Sequence, residues 1–443
     1  MVFNGNLPES WLLKPIGEVI EFKKGKKPKN TGKQSSTRIV PYINIKAFET
    51  GVPEEYAEPG NYPMCSKDDV LIVWDGARAG LVGRGVAGYI GSTLSKAWSQ
   101  ATDNKYLFHF LKSQYGYINT NTKGVGIPHV DPNILHAIKF PIAPPDEQKR
   151  IVEEIEKQFS RLDEAVAALK RIRANLKRYK ASVLKAAVEG KLTEEWRKEH
   201  SDVEPAEKLL TRILSERKKK WEKEHPGKKY KEPVAPDTSN LPELPNGWVW
   251  AMLPQLGELS RGKSKYRPRN APKLYGGPYP FIQTGDIRHT NGVITKYTQT
   301  YSEEGLKQSR LWPKGTLCIT IAANIADTAI LGFDSCFPDS IVGFISESKS
   351  IDTRFVEYFF RTAKNNIERF APATAQKNIN LEILYSVAMP LPPEKEQQTI
   401  INEIESRLSV AEEIEAAVET NLKRAERLRQ SILKKAFSGR LVQ

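Results

Sequence analysis

The sequence predicts an α+β chain: two pseudo-symmetric mixed α/β domains joined by two long antiparallel coiled-coil helices. Three observations carry this expectation. First, residues 133–192 align without a gap on residues 382–441, an offset of 249, with 21 of 60 pairs identical. Second, the opening repeats at an offset of 237: Leu7-Pro8-x-x-Trp11 returns as Leu244-Pro245-x-x-Trp248, and Lys24-Gly25-Lys26 as Arg261-Gly262-Lys263. Two copies of one module, with matching ends and divergent middles, follow each other along the chain. Third, each copy closes on a stretch whose apolar residues step by three and four, the seam of a coiled coil.

The first module opens the chain, residues 1–145. Ile39–Ile45 and Asp69–Trp74 are rich in β-formers and bounded by Gly or charged residues, so they read as strands. Lys105–Leu111 is an aromatic amphipathic helix. The central helical region follows over 146–240. Pro144-Pro145-Asp146-Glu147 supplies a proline-then-acid helix start, and Gly190-Lys191 a glycine-and-cation finish. Between them the apolar line runs Ile155, Phe159, Leu162, Val166, Leu169, Ile172, Leu176, Tyr179, Val183. Some 40 residues at 1.5 Å each make a helix of roughly 60 Å. A charged helical stretch with Leu209, Leu210, Ile213 and Leu214 on one stripe comes next, and the Pro-rich, polar residues 226–245 form a linker.

The second module, 241–391, repeats the plan with strands at Pro280–Thr284 and Thr316–Ile321 and an aromatic helix at Arg354–Phe360. The second long helix, 392–443, starts at Pro392-Pro393-Glu394 and finishes at Gly439-Arg440. Its apolar line is Ile404, Leu408, Ala411, Ile414, Val418, Leu422, Ala425, Leu428, Ile432. Helix one must carry the chain from module one to module two. Under a pseudo-two-fold axis helix two must run back, so the pair is antiparallel.

Composition narrows the function. The formal charge is +14, distributed as +4 over 1–146, +6 over 147–240, +4 over 241–389 and 0 over 390–443, which suits a polyanionic partner. No apolar run approaches the ~18 residues of a membrane span, and the start carries no signal-peptide pattern. Cys65, Cys318 and Cys336 are few and scattered, as expected of buried thiols in a reducing cytoplasm, and His129 and His136 are seven apart with no metal-ligand spacing.

The segment Gly257-Glu-Leu-Ser-Arg-Gly262-Lys263-Ser264 satisfies a phosphate-binding loop pattern. That loop works only when a helix begins at the Lys, and Tyr266-Arg267-Pro268 forbids one here. The segment reads better as a phosphate-contacting loop: Lys23, Lys24, Lys26, Lys27 and Lys29 cluster around Gly25, and Arg261, Lys263, Lys265, Arg267 and Arg269 around Gly262. Glycine there permits close backbone approach to a ligand. Candidate base readers lie at or after strand ends: Asn44, Lys46, Arg78, Gln283, Asp286, Arg288 and Asn324. Ordinary turns account for these positions nearly as well. No amino-methyltransferase tetrapeptide, methyl-donor turn or nuclease carboxylate pair recurs in the modules, and the chain is expected to carry no catalysis.

The Leu-Pro-x-x-Trp openings, the Pro-x-x-Pro-x-x-Glu-Gln start of each long helix and the segment Ala187–Arg197 together resemble HsdS, the DNA specificity subunit of type I restriction–modification systems. The resemblance spans essentially the whole length. It implies two target recognition domains, each reading one half of a bipartite asymmetric double-stranded DNA site. It also implies helices that set the spacer and dock two methyltransferase (HsdM) subunits, with restriction/motor (HsdR) subunits completing the complex. S-adenosylmethionine, ATP and Mg would reside on those partners and no cofactor on this chain. Glu147, Gln148, Glu396, Gln397 and Trp196 are the residues carried over as partner contacts. The second copy departs from the first by lacking the Thr193–Arg197 continuation. The competing reading is a DNA tether without sequence preference or methyltransferase partners.

Overall fold

A computed structural model of the protein describes residues 7–124, 126–322, 326–369 and 381–442, with side chains described to residue 363 in the third of these. The chain forms two compact units: residues 1–172 with 417–443, and residues 173–416.

In the first unit, strand Leu12–Pro15 pairs antiparallel with Lys139–Ile142, Leu12 opposite Ile142. A four-stranded sheet runs in the order Glu21–Lys24, Leu94–Trp98, Val70–Val73, Val82–Arg84. A second, five-stranded sheet includes Val40–Ile43 and Gly88–Ile90. The strand Val70–Val73 is buried throughout, so it reads as a continuous apolar run. The second unit repeats the plan. Val249–Met252 pairs with Ala388–Leu391, Val249 opposite Leu391, which is the register of the first unit carried by the two offsets. Its main sheet follows the same order, Gly257–Arg261, Ile341–Ser346, Leu317–Thr320, Thr328–Leu331, with Val293–Ile294 added at the edge.

The aromatic helices are Asn104–Thr120 and Thr353–Arg369. In each unit the helix buries its apolar face: Tyr106, Leu107, Phe110 and Leu111 in the first, Phe355, Val356 and Phe360 in the second. The strand expected at 39–45 is shorter, Val40–Ile43, and the one expected at 280–284 lies earlier, at Tyr275–Phe281. The chain leaves the strand at Asn44 and at Gln283 and begins the short helices Ile45–Thr50 and Thr284–Arg288.

The long helices are Pro145–Val188 and Glu394–Ala436. Gly190 and Gly439 terminate them at φ +70° and +71°, a backbone region open to glycine. The following residues close the same pair of bonds: Lys191 N–H to Ala186 O (2.8 Å) and Arg440 N–H to Lys435 O (2.9 Å). Each unit contains the start of one long helix packed with the end of the other. In the first, Ile151, Ile155 and Phe159 share a core with Ile432, Leu433 and Phe437, and Arg429 pairs with Asp163. In the second, Ala187 shares a core with Ile400, Ile401 and Ile404, and Lys180 pairs with Glu415 at 2.5 Å. Residue numbers rise on one helix as they fall on the other, so the pairing is antiparallel.

The seam is narrower than the full apolar line. Ile155, Leu176 and Val183 are buried, as are Ile404, Ala411, Val418, Ala425 and Ile432, all multiples of seven apart within their helix. Ile172, Tyr179, Ile414 and Leu428 instead face solvent, each more than 40% exposed. The helix Ala206–Glu224 packs Leu209, Leu210 and Ile213 into the core of the second unit, so this part of the central region is a component of the second unit.

Candidate nucleic-acid interface

The two basic loops occupy equivalent places. Lys24 ends an edge strand of its sheet, as Arg261 does, and the next two residues bond across to the chain beside it. Gly25 N–H donates to Leu94 O and Lys26 N–H to Ile90 O, both at 2.9 Å; Gly262 N–H donates to Ile341 O (2.9 Å) and Lys263 N–H to Phe337 O (3.1 Å). A Cβ at Gly25 would collide with the carbonyl oxygens of Ile90 and Gly91, and one at Gly262 with those of Phe337 and Pro338. These glycines are therefore required by the chain's own packing, which replaces the expectation that they admit a ligand. The loop at 257–264 runs as a strand and then extended chain, and the next helical turn is the short 3-10 element Pro272–Leu274.

The cations differ in what they touch. Lys26, Lys27, Lys263 and Lys265 are exposed, and among the described residues their side chains meet no acidic partner within ion-pair distance. Lys24 is held by Asp75 at 2.9 Å, and the same carboxylate meets His129 Nδ1 at 2.7 Å. Lys46 pairs with Glu54 (2.6 Å), and Arg78 with Glu49. Arg261 Nε donates to Asp339 O (2.9 Å), and Arg267 Nη1 to Ser264 O (2.7 Å) and Tyr266 O (2.9 Å). Exposed pairs of this kind contribute little to stability, on the order of 0–1 kcal/mol, so a phosphate can replace the acid at small cost.

Among the candidate base readers, Asn44 is corrected. Its Oδ1 caps the helix Ile45–Thr50 by accepting from Ala47 N (2.9 Å), and its Nδ2 donates to Glu55 Oε1 (2.9 Å), so its amide is spent on the fold. Gln283 stands at the equivalent helix start, exposed, its Nε2 donating to Gln299 Oε1. Arg288 is exposed on the helix that Gln283 opens. Asn324 lies outside the described residues. Sequence reasoning missed Asp75 and His129, which join Lys24 through contacts 51 and 54 residues apart in the chain.

The partner-contact candidates divide. Gln148 is buried: its Nε2 donates to Ala143 O (2.8 Å), and its Oε1 accepts from Thr102 Oγ1 (2.7 Å) and Asp103 N (3.1 Å). Gln397 repeats this latch, donating to Pro392 O (3.1 Å) and accepting from Asp352 N (2.9 Å). Glu396 is wholly buried; Trp248 Nε1 donates to its Oε2 (2.9 Å), while Thr193 Oγ1 (2.7 Å) and Arg197 Nη2 (2.7 Å) and Nε (3.1 Å) donate to its Oε1. Gln148, Glu396 and Gln397 are buried and their hydrogen bonds hold the starts of the long helices to their domains. Glu147 and Trp196 are half-buried, and Trp196 stacks on His200 with ring centroids 4.3 Å apart.

Burial shifts several groups. It pushes the Cys65 thiol up to about 11 and the Tyr358 phenol up to about 12, so both stay protonated at neutral pH. It raises the Glu357 carboxyl, opposed by the Arg361 guanidinium beside it. Among the described residues no group of His, Cys, Asp and Glu is placed to hold a metal ion, and no helix is long and apolar enough to cross a membrane.

Duplicated domains with one sheet order, basic loops at equivalent edges and long helices define a bipartite recognition scaffold. The profile of the type I restriction modification DNA specificity domain matches residues 8–178 and 245–424, and the chain belongs to that family. The MjaVIII specificity subunit of Methanocaldococcus jannaschii is 26% identical over 416 residues, covering 90% of this chain and 86% of the relative. The EcoDI specificity subunit of Escherichia coli is 25% identical, covering 99% and 90%. The fold is shared by a chain from a structural study of assembly and conformational transition in a type I R-M system, with TM-score 0.70, 18% identity and coverage of 98% and 99%. The HsdS subunit of Thermoanaerobacter tengcongensis shares it with TM-score 0.53, 19% identity and coverage of 99% of both chains.

Proposed function

We propose that this chain is the DNA-recognition subunit of a type I restriction–modification complex, each domain reading one half of a bipartite site in double-stranded DNA. The observation that carries the reading is the repetition of one sheet order and one strand register in two units whose loops diverge. A non-specific tether needs charge but not two different reading surfaces. Phosphate contacts fall to Lys26, Lys27, Lys263 and Lys265, with Lys24, Arg261 and Arg267 recruited from their present pairs; Lys46, Arg78, Gln283 and Arg288 are the base-reading candidates with exposed side chains.

The long helices serve as spacer and as the docking surface for two methyltransferase subunits. The solvent-facing Ile172, Tyr179, Ile414 and Leu428 supply apolar area on those helices, and Glu147 and Trp196 lie at their ends. Chemistry then belongs to the partners: S-adenosylmethionine on the methyltransferase subunits, ATP and Mg on the motor subunits, with this chain non-catalytic in the cytoplasm. Selection of sites from a random DNA library by the chain assembled with its methyltransferase tests this. Two conserved patches separated by unconserved bases are expected; a continuous motif, or no motif, overturns it.

A further inference from the structure

Two exposed glutamines of the second unit are bonded to each other. Gln283 stands two residues beyond strand Tyr275–Phe281, and Gln299 opens the partner strand Gln299–Tyr301, opposite Phe281. Gln283 Nε2 donates to Gln299 Oε1. The backbone beneath them is fixed. Phe281 and Tyr301 are buried and stacked with ring centroids 4.0 Å apart, and Asp286 Oδ2 accepts from Gln283 N (2.8 Å).

The first unit builds the same pair from other residues. Asn44 stands two residues beyond Tyr42, Tyr42 lies opposite Glu55, and Asn44 Nδ2 donates to Glu55 Oε1 (2.9 Å). There the amide oxygen is used as well, as the cap accepting from Ala47 N, whereas Gln283 makes no side-chain cap to its helix. Gln283 is exposed where Asn44 is half-buried.

The basic loop lies close to this pair. Ile282 N–H donates to Cys336 O (2.8 Å) and Lys263 N–H to the next carbonyl, Phe337 O (3.1 Å). Gln283 and Lys263 thus flank one chain segment, about two inter-strand spacings or ~10 Å apart. The major groove of B-DNA is ~12 Å wide, so with Lys263 on a phosphate at its border Gln283 can meet a base edge within it.

Resting on the base-reading role proposed above for the second domain, we infer that Gln283 reads an adenine in the major groove and that Gln299 is its positioning residue. A primary amide carries one acceptor oxygen and two N–H donors. Bidentate contact with adenine uses the oxygen, for N6–H, and one hydrogen, for N7. The second hydrogen is left over, and Gln299 Oε1 takes it. As acceptor, Gln299 fixes the sense in which the amide meets the base. Guanine presents two acceptors on that edge, so the amide oxygen would face O6 unpaired.

The test repeats the selection from a random double-stranded DNA library, with the full chain assembled with its methyltransferase, for the wild type and three variants. The wild type should prefer adenine roughly tenfold or more at one position of one half-site, and Gln283→Ala should abolish that preference and no other. Gln299→Met, which removes the acceptor, should weaken it roughly fivefold at the same position. Gln299→Glu keeps an acceptor, as Glu55 does in the first unit, and should preserve it. A wild-type selection without any motif would remove the base-reading role and this assignment with it. Where the wild type does yield a motif, three results would overturn the assignment alone: a motif unchanged by Gln283→Ala, loss of a preference for a base other than adenine, or equal preferences in Gln299→Met and Gln299→Glu.

Discussion

Replacing Arg197, whose guanidinium carbon lies 5.7 Å from the Trp248 ring centroid, by Met keeps an unbranched side chain there and removes the charge paired with Glu396. The Glu396 side chain is 0% exposed and that of Arg197 18%. Breaking a buried pair from one side costs about 3–5 kcal/mol, because the remaining charge is left in a medium that solvates it poorly. Thr193 and Trp248 still donate to the carboxylate, so the lower end, about 3 kcal/mol, is expected. For a unit spanning residues 173–416 this corresponds to a fall in Tm of roughly 6–12 °C. Calorimetry of the whole chain should show that fall in one transition. Adding Glu396→Gln to the Arg197→Met chain removes the stranded charge and should recover about 1–3 kcal/mol. A loss below ~1 kcal/mol in the single variant, or no recovery in the double variant, would refute the assignment of Glu396 as a buried charge neutralised by Arg197.

Four further outcomes are expected. Burial pushes His109 down to about 4, below its unfolded value, so its contribution to stability is full above ~6.5 and is lost as pH falls toward 4; between pH 7 and pH 5 the loss is about 2 kcal/mol. Urea midpoints at those pH values should converge in His109→Phe, and an unchanged pH dependence would show another group is responsible. Val418→Asp places a charge in the buried seam, costing several kcal/mol, and should abolish DNA recognition and methyltransferase assembly together; full assembly by this variant would argue against a shared scaffold. Lys263→Ala should weaken DNA binding evenly across sequences and reduce the salt slope by about 1, without creating or removing any nucleotide affinity; ATP binding lost in this variant would reinstate the phosphate loop. Inserting one heptad between Leu169 and Leu176 and one between Val418 and Ala425 adds about 10 Å, or roughly three base pairs, to the preferred spacer while the half-sites stay the same; a spacer indifferent to the insertion would eliminate the ruler.

The features legible in the sequence are those set by neighbours in the chain. Heptad-spaced Ile155, Leu176 and Val183 and their counterparts Ile404, Ala425 and Ile432 announce the seam because helix geometry alone puts residues seven apart on one face. Gly190 and Gly439 announce the helix ends because only local backbone geometry is at stake. The repeat itself gave the antiparallel pairing, since a pseudo-two-fold relation leaves the returning helix one direction. What escaped the sequence depends on partners brought from far along the chain. Asn44 has the chemistry of an adenine reader and of a helix cap, and Glu55 opposite its amide settles which. Gly25 and Gly262 mark a close approach in either reading, and the carbonyls of Ile90 and Phe337 identify the neighbour as the protein's own backbone. Gln148 lies next to the half-buried Glu147 in sequence, but Thr102, 46 residues away, holds it inside through a hydrogen bond donated to its Oε1. Glu396 and Arg197, 199 residues apart, each look like surface charges; only folding that takes Glu396 wholly and Arg197 largely out of water makes them partners, because an isolated charge could not be buried there.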